Sequence, residues 1–209
     1  MKLDILVIAA HPDDAELGCG GTIAKHIKSG LKVGILDLTR GELGTRGTIQ
    51  TREQEAKDAS AILGLQVREN LGLADGFFKN DQESQLAVIQ KIRTYQPEIV
   101  IANAIHDRHP DHGKGANLAT DASFLAGLAK IESKDASGNV QKAWRPKQMY
   151  HYIQSQYIQP DFIIDITDVW DIKMAAIKAY KTQFFNSDST EPQTFISRPE
   201  FIQFLEGRA

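Results

Sequence analysis

Leu3 to Ala10 (LDILVIAA) is apolar at every position but Asp4 and stops on His11-Pro12-Asp13-Asp14. A run this apolar, without alternation, suits a strand covered on both faces, as in the middle of a parallel sheet. Parallel neighbours need crossover segments between them. The chain supplies these at regular intervals.

Helical spacing follows from Gly20 to Lys28, with Ile23 and Ile27 four apart and Gly30 as C-cap, and Val33 to Leu38 forms the second strand. Thr39 to Thr48 (TRGELGTRGT) is a glycine-rich loop at a strand's C-terminal end, where open α/β sheets bind ligands. Thr51 begins a helix, with Gln54 at capping-box spacing and Ala56, Ala59, Ile62 and Leu63 along one face. Val67 to Leu71 is a weak third strand and Asp75 to Asp81 a loop. Leu86, Ile89 and Ile92 mark a helix ending before Pro97, and Glu98 to Ala102 (EIVIA) is a fourth strand. A helix is expected from about Gly115 to Lys130. Ser133 to Gln141 is polar, turn-rich and the best candidate for a mobile insertion. Met149 to Ile153 and Phe162 to Ile166 read as two more strands, an antiparallel edge; Val169 to Phe185 and Pro199 to Arg208 read as helices. Three β-helix-β passages require a right-handed, mostly parallel, doubly wound α/β sheet with helices on both faces. At 209 residues, one domain over 1–209 is expected.

Two histidine and aspartate clusters each follow an apolar strand, so a parallel sheet delivers both to one edge. His11 and Asp14 are three apart, as are His109 and His112 in Asp107-Arg108-His109-Pro110-Asp111-His112. A His-Pro after a strand is by itself an ordinary turn, and an aspartate there can simply cap a helix; two such clusters together point to a metal. Zinc hydrolases hold the ion with three nitrogen or oxygen ligands and leave a position for water, which the metal acidifies. A His, Asp and His set meets that need. Asp13 and one of the later histidines are candidates for the base and the oxyanion stabiliser, although spacing alone leaves the roles of Asp13 and Asp14 interchangeable. Two histidines and a carboxylate also make the facial triad of non-haem Fe(II) oxygenases, the competing reading.

Gly18-Cys19-Gly20-Gly21 lacks GxGxxG spacing, which argues against a dinucleotide module, and its glycines are expected to permit close helix approach. Cys19 reads as a small packed residue. His26, His106 and His151 are expected outside the metal site. Arg40, Arg46, Arg52 and Arg108 share one rim, where a guanidinium can grip a carboxylate with two hydrogen bonds. A formal charge of −3 without basic runs excludes nucleic acid and anionic membrane as expected partners. One cysteine and a first strand beginning directly after Met1 lead to the expectation of a cytoplasmic protein.

AHPDDAELGCGG together with HPDHG resembles the PIG-L/LmbE-like family of zinc-dependent N-acetylglucosaminide deacetylases. TRGELGTRGT, TREQEA, DRHPDHG and AIKAYKTQF narrow the resemblance to its BshB-type, bacillithiol-biosynthesis branch. The resemblance covers nearly the whole chain and implies a Rossmann-like, LmbE-like fold. It implies that His11, Asp14 and His112 are zinc ligands and that Asp13 is the general base. It further implies that His109 stabilises the oxyanion with Asp111 holding its imidazole, and that Arg52 contacts substrate. Arg108 and Arg46 are added as substrate contacts because the implied substrate, N-acetyl-glucosaminyl malate, carries carboxylates. Another N-acyl amino sugar or thiol conjugate is the alternative within the family. A homo-oligomer, commonly a hexamer among relatives, is also implied. Relatives usually continue beyond Gly207-Arg208-Ala209, which puts any ligand-covering tail in question.

Overall fold

In a computed structural model, which describes residues 1–184, 187 and 189–208, the apolar runs become five strands: β1 (Ile5–Ala9), β2 (Val33–Thr39), β3 (Val67–Leu73), β4 (Ile99–Ala102) and β5 (Gln148–His151). They form one sheet in the order β3-β2-β1-β4-β5, every pair parallel. Helices α1 (Asp14–Lys28), α2 (Ile49–Leu63), α3 (Gln82–Tyr95) and α4 (Pro110–Leu125) connect successive strands, and α5 (Trp170–Lys178) and α6 (Pro199–Arg208) follow β5.

Side chains alternate across a strand, so Ile5, Val7 and Ala9 of β1 pack with α1, α2, α5 and α6, while Leu6 and Ile8 pack with α3 and α4. Both faces are thus covered, as the unbroken apolar run requires. The chain winds outward from β1 to β3, then returns to place β4 on the other side of β1. That reversal opens a crevice at the C-terminal ends of β1 and β4, the usual ligand position in open α/β sheets.

The boundaries depart from the sequence expectation where local chemistry was misread. Helix α1 starts at Asp14, before the glycines, and takes them in across a kink at Cys19 (φ −139°, ψ 19°). Helix α2 is capped by Thr48, whose extended backbone (φ −124°, ψ 167°) lets it share a capping box with Thr51, three residues before the expected start. Helix α4 begins at Pro110, because proline at the first helical position needs no amide donor. Phe162 to Ile166 is not a strand, and β5 is a parallel edge rather than part of an antiparallel one. The 133–141 segment is a hairpin with a Lys134–Val140 bridge, tied to α3 by Arg93 Nη1 donating to Ser133 Oγ (2.9 Å). The expected last long helix is shorter, and its end at Phe185 lies outside the described residues. Among the described residues no helix is long and apolar enough to cross a membrane.

A candidate metal and catalytic site

Strands β1 and β4 are hydrogen-bonded neighbours, with Ile8 opposite Ala102, so the segments leaving them lie side by side. Asp14 is the meeting point. Its Oδ1 lies 3.0 Å from His112 Nε2 and its Oδ2 3.4 Å from His11 Nδ1. The far nitrogen of each ring meets a different carboxylate: His11 Nε2 is 3.0 Å from Asp75 Oδ1, and His112 Nδ1 is 2.6 Å from Asp107 Oδ2. A carboxylate behind the ring favours the tautomer with its N–H on that side and its lone pair on the other. Both lone pairs then face the Asp14 carboxylate.

Lone pairs that converge on a carboxylate attract a cation, beyond the neutral donor Gln154 Nε2 that lies 3.0 Å from Asp14 Oδ1 and 3.3 Å from His112 Nε2. Two ligand atoms about 2.0–2.1 Å from one tetrahedral zinc lie roughly 3.3 Å apart, near the 3.0 Å separating Asp14 Oδ1 and His112 Nε2. The donor set therefore fits a divalent ion. The same pull acts on protons. Burial would raise the Asp14 pKa, but the charge of His112 and hydrogen bonds from His11 and His112 hold it well below the usual range. Burial would lower His11, yet the carboxylates of Asp111, Asp14 and Asp75 hold it well above its ordinary value.

Ring nitrogens of His11, His109 and His112 also lie within 4.8 Å of one another, and so do ligand atoms of His11, Asp75 and Asp111. We favour His11, Asp14 and His112 because the other groups have different tasks. His109 Nδ1 accepts the backbone N–H of Asp111 (3.3 Å), so the neutral ring carries its proton on Nε2 and acts as a donor. Burial, and then the charges of His11 and His112, lower its pKa and keep that neutral form. Asp75 and Asp111 stand behind His11, at 3.0 and 3.5 Å from its Nε2.

Asp13, immediately before α1, is held at φ 112° and ψ −26°, a backbone region that an L residue occupies only under strain. Burial pushes its carboxyl up to about 7, with the Arg52 guanidinium pulling the other way. Arg52 Nη2 donates to Asp13 Oδ2 (3.0 Å) and also to the Pro12 carbonyl, and Nη1 donates to Gln183 Oε1 (2.9 Å). Gln183 Nε2 in turn donates to the Arg46 carbonyl (2.8 Å), linking the α5 end of the chain to the loop after β2.

The structure brings Asp13, Asp14, His11, His109 and His112 to one cavity of about 1,420 Å³ and revises the arginines around it. Arg52, 6% exposed, is engaged by Asp13, Pro12 and Gln183, which makes it a support for Asp13 before any contact with substrate. Arg46, 4% exposed, lies off the cavity, donating to Ser189 Oγ (2.6 Å) with Nε 3.6 Å from Glu191 Oε2. Arg108 alone of the three is exposed on the cavity wall, its guanidinium 5.2 Å from the Phe195 ring centre. The expected hold of Asp111 on the His109 imidazole is also revised. Its carboxylate accepts from Gly76 N (2.7 Å) and Lys114 Nζ (3.0 Å) and approaches His11, and only its backbone N–H meets His109.

The glycines after Asp14 serve packing. A Cβ on Gly18 would lie 2.2 Å from Tyr152 Cδ2, and one on Gly21 would lie 2.4 Å from Ile166 Cδ1, so α1 accepts the chain that leaves β5 against its surface. Cys19 is buried there, its thiol pushed up by burial and then by the charge of Glu16. His26 Nδ1 pairs with the Thr22 carbonyl (2.7 Å), His151 Nδ1 with the Asn103 carbonyl (2.8 Å), and His106 is exposed. Sequence reasoning missed Asp75, Asp107, Asn103, Gln154 and Gln183. Asp107 had a signal, being a carboxylate inside the DRHPDH stretch, and so had Asn103, the first residue after β4; Asp75, Gln154 and Gln183 come from distant segments.

The sequence matches the PIG-L family, described as GlcNAc-PI de-N-acetylase, over residues 6–123. It is 30% identical to diacetylchitobiose deacetylase of Thermococcus kodakarensis across 86% of this chain and 70% of that protein. It is 29% identical to 4-oxalmesaconate hydratase of Pseudomonas putida (85% and 73%), and 28% identical to a probable N-acetyl-alpha-D-glucosaminyl L-malate deacetylase 2 of Bacillus subtilis (88% and 84%). A crystal structure of a conserved protein from Thermus thermophilus superposes with a TM-score of 0.81 at 43% identity, over 87% of this chain and 80% of that one.

Proposed function

The chain belongs to the PIG-L family, and from that premise we propose that it is a metal-dependent hydrolase removing the N-acetyl group of an N-acetylglucosaminide, with zinc as its ion and N-acetyl-glucosaminyl malate as its substrate. The observation that carries this reading is geometric: the Asp13 carboxyl, buried and held by Arg52 Nη2 (3.0 Å), adjoins the His11, Asp14 and His112 cluster, and burial raises its pKa above the ordinary carboxylate value. A general base works best with a pKa near the operating pH. Deacetylase relatives support the amide reaction, and the Bacillus relative supports malate.

A divalent ion held by His11, Asp14 and His112 would supply Lewis acidity, polarising the amide carbonyl and acidifying water. Asp13 takes the proton from the attacking water. His109 offers its Nε2–H to the carbonyl oxygen as negative charge grows there, which the neutral ring can do without a second proton. Asp13 then passes its proton to the departing amine nitrogen, releasing acetate and a free amino sugar. Arg52 holds Asp13 in place through these steps. Arg108 on the cavity wall is the arginine available to a malate carboxylate.

The test measures acetate release from N-acetyl-glucosaminyl malate by wild type and Asp13→Asn, with metal content determined in parallel. Loss of at least 100-fold in kcat with metal retained is expected from removal of a general base, typically worth about 10²–10⁴; near-wild-type turnover with metal bound would overturn the assignment. The hydratase relative favours a second reading, water addition to a carbon–carbon double bond by the same machinery. Turnover of 4-oxalmesaconate without acetate release from any N-acetylglucosaminide would establish that reading instead.

A further inference from the structure

Asp14 is surrounded by neutral hydrogen-bond donors that limit what it can give a metal. Oδ2 accepts the His11 backbone N–H (3.0 Å) and Asn103 Nδ2 (3.0 Å), which occupies both its lone pairs. Oδ1 accepts Gln154 Nε2 (3.0 Å), leaving one lone pair, on the side where His112 Nε2 lies 3.0 Å away. The orientations of both amides are fixed from behind. Asn103 Oδ1 accepts Ala10 N–H (2.8 Å), and Gln154 Oε1 accepts Asn103 Nδ2 (3.0 Å) and Ala104 N–H (3.2 Å). Neither amide can turn its oxygen towards Asp14 without abandoning a backbone donor.

We propose that Asn103 and Gln154 are positioning residues that confine Asp14 to one-oxygen ligation and so keep a coordination position open for water and substrate. The proposal rests on the metal-site reading above and concerns residues outside the ligand set. With one oxygen from Asp14 and one nitrogen each from His11 and His112, the protein gives three donor atoms, the number found in zinc sites that bind a reacting water. Were Asp14 free to chelate with both oxygens, four protein donors would close a tetrahedral site. Carboxamides do not titrate in the working pH range, so this restraint holds at every pH at which the enzyme folds. It also spans three segments, because Asn103 leaves β4, Asp14 opens α1, and Gln154 follows β5.

Asn103→Leu keeps the size and removes the side-chain donor that fills a lone pair on Oδ2. Cobalt(II) replaces the native ion as the spectroscopic probe, and affinity is measured by competition with a chelator. The wild type should show the intense visible bands of four- or five-coordinate cobalt. In Asn103→Leu the bands should weaken as Oδ2, relieved of that donor, joins Oδ1 on the metal, and kcat should fall about 10–100-fold, the usual consequence of losing a residue that orients a ligand. KM should change much less. A cobalt spectrum unchanged by Asn103→Leu overturns the proposal. So do weak, six-coordinate bands in the wild type, a result that does not depend on the variant folding. Failure of the wild type to bind cobalt or zinc at all would instead sink the metal reading itself, so the two failures are distinguishable.

Discussion

Asp13→Asn should separate catalysis from stability through their opposite dependence on one charge. The Asp13 carboxyl is raised from 3.8 to about 7 by burial, with Arg52 acting against the rise. A carboxyl with a folded pKa above its unfolded one binds its proton more tightly in the folded state. Its contribution is intact below about 3.8 and is lost as pH climbs towards about 7. Asparagine imitates the protonated acid at every pH. Between pH 5 and pH 8 the wild type therefore loses stability that the variant keeps: roughly two pH units at 1.36 kcal/mol each, about 3 kcal/mol. The pull of Arg52 on Asp13 is already contained in the value of about 7, so the change in the difference between the two proteins is the quantity to read. Urea unfolding of both proteins at pH 5 and pH 8, with a chelator present so that no cation adds its own charge, measures it. A difference between wild type and variant that is equal at the two pH values, or that moves against the variant as pH rises, would refute the buried, protonatable Asp13.

Asp107→Ala should weaken metal binding about 10–100-fold by freeing the His112 ring, read by chelator competition; unchanged affinity would remove Asp107 from the support of the ligand. Arg108→Ala should raise KM for N-acetyl-glucosaminyl malate several-fold and leave KM for an uncharged N-acetylglucosaminide unchanged. Arg46→Ala, at a buried position off the cavity, should instead lower thermal stability without altering that preference. Gly18→Ala would drive a methyl into the Tyr152 ring and should destabilise by about 1–3 kcal/mol in denaturant melts, whereas Gly30→Ala meets no atom within 4 Å and answers only for its φ of 88°.

Much of the architecture could be read from the chain because the strands that matter are buried on both faces. LDILVIAA and EIVIA announce themselves by composition, and the parallel sheet follows from what lies between them. The metal-ligand candidates were legible for the same reason, since the ends of neighbouring parallel strands must share an edge. Phe162 to Ile166 misled because apolar composition alone does not make a ladder: Phe162 and Ile163 stand exposed, while Ile166 packs against α1 at Gly21. Thr51 misled because threonines at 48 and 51 both suit a cap, and only backbone geometry chooses between them. The arginines were misjudged as a group. A sequence places Arg46, Arg52 and Arg108 on one rim but does not tell which will find Gln183 or Ser189, more than a hundred residues away, and turn inward. Asp75 and Gln154 were invisible because orienting groups carry no motif of their own.

The link from Gln183 through Arg52 to Asp13 has a consequence for how the protein comes into being on the ribosome. His11, Asp13, Asp14 and His112 all lie within the first 112 residues, inside the stretch that matches the family, yet the group that seats Arg52 arrives at position 183 and the one that restrains Asp14 at position 154. At about 5–20 residues per second, translation separates His112 from Gln183 by roughly 4–14 s. During that interval the nascent chain carries the proposed metal ligands without the partners that align them. The proposed reaction thus waits on the C-terminal third of the chain, which brings Gln154 to Asp14 and Gln183 to Arg52.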